Sequence, residues 1–172
     1  MARKLWKSRY YRRKSVAVKD DGNKPFVAAT RWEKEVGAIY DIVSAGPRVV
    51  FQEGGFVPVE PEMALRIEAE IDLIVTGYLH IMDTDSIRHI IKRHGNQEEV
   101  LRGQVPLVRE DFLLPPNIFG TPDIIEDGGK TKPGRDTIRY SKILGGFRYH
   151  YTEELRTRKN RLAAVTFYKW KN

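Results

Sequence analysis

Between Ile138 and Trp170 the chain alternates apolar and polar residues in three runs, and this pattern constrains the fold more than any other. Residues 138–144, 147–152 and 162–170 are rich in β-branched and aromatic side chains with a period of two, the repeat of an extended strand. Gly145-Gly146 separates the first two runs, which is the signature of a tight hairpin. Residues 152–161 form a longer, charged return to the third run. An antiparallel meander with one apolar face needs a cover. The expected class is therefore α+β, with N-terminal helices packed on an antiparallel sheet of roughly four strands.

Candidate covering elements lie upstream. Trp32, Val36, Ile39, Tyr40 and Val43 recur every three to four residues behind Thr30, predicting an amphipathic helix stopped by Gly46-Pro47. Residues 49–51 are expected as a short strand, and 54–61, with their glycines and prolines, as a loop. Across 63–81, Leu65, Ile67, Ala69, Ile71 and Leu73 alternate with Arg66, Glu68, Glu70 and Asp72, which predicts a strand reaching His80. Asp83-Thr84-Asp85-Ser86 opens a second helix that runs to His94, with Gly95 as its left-handed stop. Residues 108–114 read as a short helical turn ended by Pro115-Pro116, and Gly128-Gly129 as a turn before the meander.

The net charge of +7 is unevenly placed: +8 over residues 1–19, −8 over 20–134 and +7 over 135–172. Two separated basic blocks suggest two surfaces that meet phosphate. The first interleaves Arg12, Arg13 and other bases with Trp6, Tyr10 and Tyr11, and is expected as an arm contacting nucleic acid by charge and stacking, or packing on a partner protein. The organisation expected is a basic arm and linker (1–25), an accessory helix and strand segment (26–77) and a C-terminal domain (78–172). With no cysteine, disulfides, thiolate ligands and cysteine nucleophiles are excluded. No run is long and apolar enough to span a bilayer, and the basic start has no apolar stretch behind it, so neither membrane nor export is expected. Phosphate-binding glycine loops, a His-Glu-x-x-His helix and a Gly-x-Ser-x-Gly turn are all missing, and no cofactor is expected.

What remains is chemistry on the sheet. On a wheel of about 100° per residue, Ile87, Ile90, Ile91 and His94 share one face of the second helix while His89 lies among Arg88, Lys92 and Arg93. The two histidines point apart, so they do not form a metal pair, and His94 is the one able to approach the sheet. If the meander buries one face, the other presents Arg148, His150, Thr166 and Tyr168, beside either Tyr140 and Lys142 or Arg139 and Ser141. These strands bring no carboxylate to that face. Imidazoles, cations and hydroxyls suit metal-independent cleavage of RNA, which needs a base for the 2′-hydroxyl, an acid for the leaving oxygen and donors for the phosphorane. On the sheet itself the residues expected to act are Arg148, Thr166 and Tyr168. Tyr140, Lys142, His150, Lys169, Arg12 and Arg13 are expected to bind substrate.

The run His89-Ile90-Ile91-Lys92-Arg93-His94-Gly95, with Glu98-Glu99, Pro106-Leu107-Val108, Asp111, Pro122-Asp123, Tyr140-Ser141-Lys142, Glu153-Glu154 and the terminal Ala164-Val165-Thr166-Phe167-Tyr168-Lys169, resembles the phage-associated Barnase-EndoU-colicin-RelE-like nuclease families over residues 78–171. The resemblance implies helices on an antiparallel sheet, a ribonuclease centre on that sheet, and roles for His89 or His94 and for Thr166. It also implies a toxin-like enzyme of phage or prophage origin acting on tRNA or another structured RNA, in the cytoplasm or with the virion. An immunity protein or a phage structural protein is the partner implied. The alternative is a virion or nucleic-acid-binding protein that keeps the fold without the activity.

Overall fold

The computed structural model describes residues 27–46, 48–97, 100 and 102–172. The basic arm, with Arg12 and Arg13, lies outside these residues. The described helices are α1 (Val27–Ala45), α2 (Pro61–Ile71), α3 (Thr84–His94) and α4 (Pro115–Gly120), with a 3-10 turn at Arg109–Leu113. The strands are β1 (Glu53–Pro58), β2 (Leu79–Asp83), β3 (Gln104–Val105), β4 (Ile124–Lys130), β5 (Asp136–Leu144), β6 (Phe147–Arg156) and β7 (Arg161–Lys171). They form one mixed sheet in the order β1-β2-β7-β6-β5-β4, with β3 also beside β7.

The α+β class is as expected, but the sheet is wider than four strands. The meander is β5-β6-β7, hinged at Gly145-Gly146, where φ is +55° and +80°. β4 extends it antiparallel through Gly128 and Gly129, and the chain reverses only at residues 131–135. A side chain at Gly128 would strike the Thr137 hydroxyl at 2.3 Å, so this glycine serves close strand packing. On the far side of β7, β2 pairs in parallel with Arg161–Ala163 and β3 pairs antiparallel with Lys169 and Trp170. Neither strand covers 164–168. The Ser86 hydroxyl of α3 donates to the Ala164 carbonyl at 2.6 Å there, satisfying a backbone acceptor that has no strand partner on that side.

Several local expectations change. Residues 61–71 are helix, because Met63, Ala64 and Ile67 form the buried stripe and Leu65 is left 62% exposed. Pro61 opens this helix, Arg66 and Glu70 pair across one turn at 2.6 Å, and Asp72 ends it at φ +59°. Residues 49–51 take no strand, whereas β1 runs through Gly54-Gly55, expected as loop. A Cβ at Gly55 would lie 2.4 Å from the Trp32 ring, so the glycines let α1 lie directly on a bulged edge strand. Pro115-Pro116 starts α4 rather than only ending the preceding turn. Gly95 stops α3 at φ −106°, not in the left-handed region.

The core lies between the helices and one face of the sheet. Trp32, Ile67, Phe112, Ile118 and Phe119 meet Tyr140, Tyr151 and Phe167 there, all buried. Two polar clusters sit inside it. The Lys169 ammonium lies 2.7 and 2.9 Å from the Asp111 carboxylate, which also accepts from the Tyr149 hydroxyl and the Val108 N–H. This ties the 3-10 turn to β6 and β7. The second pair joins His80 Nδ1 on β2 to Glu153 Oε2 on β6 at 2.8 Å.

Candidate active site

The opposite face of the sheet is where the sequence-predicted groups converge. Asp83 caps α3 by accepting from the Ser86 N–H at 2.8 Å, and Ile87 and Ile90 are buried beneath the helix. With both ends fixed, the last residue, His94, reaches β7. Its Nε2 lies 3.3 Å from the Thr166 hydroxyl, its Nδ1 lies 3.2 Å from Gln104 Oε1 on β3, and its carbonyl accepts from the Leu107 N–H.

Thr166, Tyr168 and Trp170 project from β7 onto this face, while Phe167 and Lys169 point into the core. The Tyr168 ring contacts both imidazoles, with centroids 5.6 Å from His94 and 4.9 Å from His150, stacked on the latter at an interplanar angle of 22°. His150 Nδ1 is 2.8 Å from the Ser141 hydroxyl directly across the β5–β6 pair. Its free edge opens on a cavity of about 210 Å³ that Ser141, Arg148, Glu126, Ile124 and Ile143 help to line. Burial holds the His150 imidazole below its ordinary range; Arg139 and Arg148 push the same way and Glu126 opposes them.

Of the two side-chain sets weighed for the first strand of the meander, the register places Arg139 and Ser141 on this face. Tyr140 is fully buried, and the Lys142 ammonium bonds the Thr121 carbonyl. Lys169 lies in the core against Asp111. Tyr140 and Lys169, expected to bind substrate, therefore sit away from the open face, whereas Lys142 stays at the edge of the cavity beside His150. His89 is exposed on the outer side of α3, its imidazole held low by burial and by Arg93, His94 and Lys92. Arg148 is exposed, 3.5 Å from Asn172 Oδ1. Among the described residues, no three His, Asp or Glu side chains group closely enough to hold a metal ion.

Sequence reasoning missed Glu126. It lies on β4, opposite Arg139, and supplies the carboxylate that the meander's own strands lack. Ile124 and Ile125 flanked by polar residues were its only local signal, and the Gly-Gly pair behind them reads as an end to the strand.

A helix-backed sheet with imidazoles, hydroxyls and arginines on its uncovered face defines a nuclease-like α+β domain. Residues 59–172 match the family described as phage-Barnase-EndoU-ColicinE5/D-RelE like nuclease3, and the chain belongs to that family. No curated protein and no solved structure matches it. Among the described residues no helix is long and apolar enough to cross a membrane.

Proposed function

We propose that this protein is a metal-independent endoribonuclease that cleaves RNA by attack of a 2′-hydroxyl on the adjacent phosphate. The observation carrying the reading is the placement of His94 and His150 on either side of Tyr168, on one open face, with Thr166 and Arg148 beside them. His150, kept neutral by its surroundings and oriented by Ser141, takes the 2′-hydroxyl proton. The 2′-oxygen bonds to phosphorus while the bond to the 5′-oxygen breaks, and His94, positioned by Gln104, gives that oxygen its proton. Arg148 and the Thr166 and Tyr168 hydroxyls donate to the phosphorane oxygens. The products are a 2′,3′-cyclic phosphate and a 5′-hydroxyl.

Structured RNA such as tRNA is the substrate class proposed, in a toxin-like setting with an immunity partner. The test is digestion of total tRNA in EDTA. Wild type leaves cyclic phosphate ends, and Thr166→Ala together with His94→Ala suppresses cleavage while the circular dichroism spectrum is retained. Intact tRNA at micromolar wild-type enzyme overturns the proposal.

A further inference from the structure

The strand register arranges the uncovered face of the sheet in rows. Ser141, His150 and Tyr168 stand side by side on β5, β6 and β7. Arg139, Thr152 and Thr166 form the row on one side of them, and Ile143, Arg148 and Trp170 the row on the other. Successive rows on one face lie roughly 7 Å apart, and neighbouring strands about 4.8 Å. His150 therefore has an arginine on each flank. Only the Arg139 row leads to Thr166, whose hydroxyl lies 3.3 Å from His94 Nε2.

That row carries unmet hydrogen-bonding capacity. Thr152 is 5% exposed and its hydroxyl has no partner, and Arg139 Nε, one strand away, is buried and equally unpaired. Orphaned buried donors are costly, and native structures hold few of them without a use. Neighbouring arginines are committed: Arg135 Nη1 donates to Glu154 at 2.7 Å, and Arg156 donates to Glu154 and Asp83 at 2.9 Å each. Among the described residues Arg139 makes no hydrogen bond or ion pair, although Glu126 faces it from β4. The residue as a whole is only half-buried, so its terminal nitrogens are left to the open face. Arg139 also pushes the His150 imidazole down more strongly than Arg148 does, as the nearer of the two charges would.

A planar cation with parallel N–H groups and no protein carboxylate to neutralise it matches two oxygens of a phosphate. We propose that Arg139 is a catalytic residue of this site, its guanidinium holding two non-bridging oxygens of the scissile phosphate between His150 and the Thr166–His94 pair. The assignment rests on the ribonuclease reading and adds a cation to it. As the 2′-oxygen bonds to phosphorus, the phosphate passes from one negative charge to two, and the guanidinium neutralises the increase without gaining or losing a proton. Arg148 assists from the other flank of His150.

The test is single-turnover cleavage of a short RNA in EDTA by the full chain, with filter binding of the same strand, 2′-O-methylated at the cleaved nucleotide, as the measure of ground-state affinity. Arg139→Gln lowers kcat by about 10²–10³, the effect of removing one donor to a transition-state oxyanion. It weakens binding of the methylated strand by no more than about tenfold. Arg139→Lys keeps the charge but not the fork and recovers only part of the rate. The melting temperature of Arg139→Gln stays at or above that of wild type, because the substitution breaks no hydrogen bond. Arg135→Gln removes an equal charge nearby and leaves kcat within about threefold of wild type. Intact RNA with wild type sinks the ribonuclease reading on which the proposal rests. Cleavage by wild type together with a kcat for Arg139→Gln within about threefold of it overturns the assignment of Arg139 and leaves that reading standing. A lowered melting temperature in Arg139→Gln, or an equal loss of rate in Arg135→Gln, does the same.

Discussion

Lys169→Met separates a structural lysine from an RNA-binding one. From its alternation in the last strand Lys169 reads as a cation available to phosphate, yet its ammonium is buried against Asp111 with both side chains less than a tenth exposed. Removing one member of a buried pair costs about 3–5 kcal/mol, because the other charge is left uncompensated. Asp111 keeps two donors, the Tyr149 hydroxyl and the Val108 N–H, which places the expected loss near the lower end, at about 3 kcal/mol. For a chain of this length each kcal/mol lowers the melting temperature by roughly 2–4 °C, so the midpoint should fall by roughly 6–12 °C. Urea denaturation measures the loss, and filter binding to tRNA below the transition measures affinity. Lys169→Met/Asp111→Leu, which removes both charges, should recover much of the loss. A variant that stays within about 0.5 kcal/mol of wild type but binds tRNA severalfold more weakly would refute the reasoning.

Other outcomes follow from the same geometry. His150→Asn and His94→Ala should each lower kcat by about 10²–10⁴ with little change in stability, as expected for a lost acid or base and read by single-turnover cleavage. Because the His150 imidazole is held below its ordinary range and must be neutral to act, kcat/KM should rise with pH through a midpoint below about 6.5. Arg148→Gln removes a cation that depresses it and should move that midpoint up, whereas Glu126→Gln removes the opposing carboxylate and should move it down. Ser86→Ala loses the bond to the Ala164 carbonyl and leaves that buried acceptor without a donor, which should cost about 1–3 kcal/mol in urea denaturation and loosen the helix that carries His94.

The parts of the fold legible in the sequence are those whose signals are local. The Gly145-Gly146 hairpin, the α1 stripe and the Asp83 cap each depend on residues within a few positions of one another. Residues 63–71 fit both periods, since Met63 and Ile67 satisfy a helix as well as a strand, and Pro61 decides the matter only once the N-terminal boundary is known. β1 and β4 run through glycine pairs that locally signal turns. Their reason for being strands is non-local: close approach of Trp32 to Gly55 and of Thr137 to Gly128. The same division holds for the site. The wheel alone brings His94 inward, but the choice of Ser141 over Tyr140, the removal of Lys169 to the core and the arrival of Glu126 beside His150 need the register of β4, β5 and β6.

The central claim is chemical: the open face cleaves RNA through its 2′-hydroxyl. Single-turnover cleavage in EDTA of a short RNA, against the same sequence carrying a 2′-O-methyl group at the cleaved nucleotide, tests it most directly. The prediction is that the unmodified strand is cut to a 2′,3′-cyclic phosphate and that methylation abolishes cutting there. Cleavage of the methylated strand at an equal rate, or cleavage only after a divalent metal is added, contradicts it.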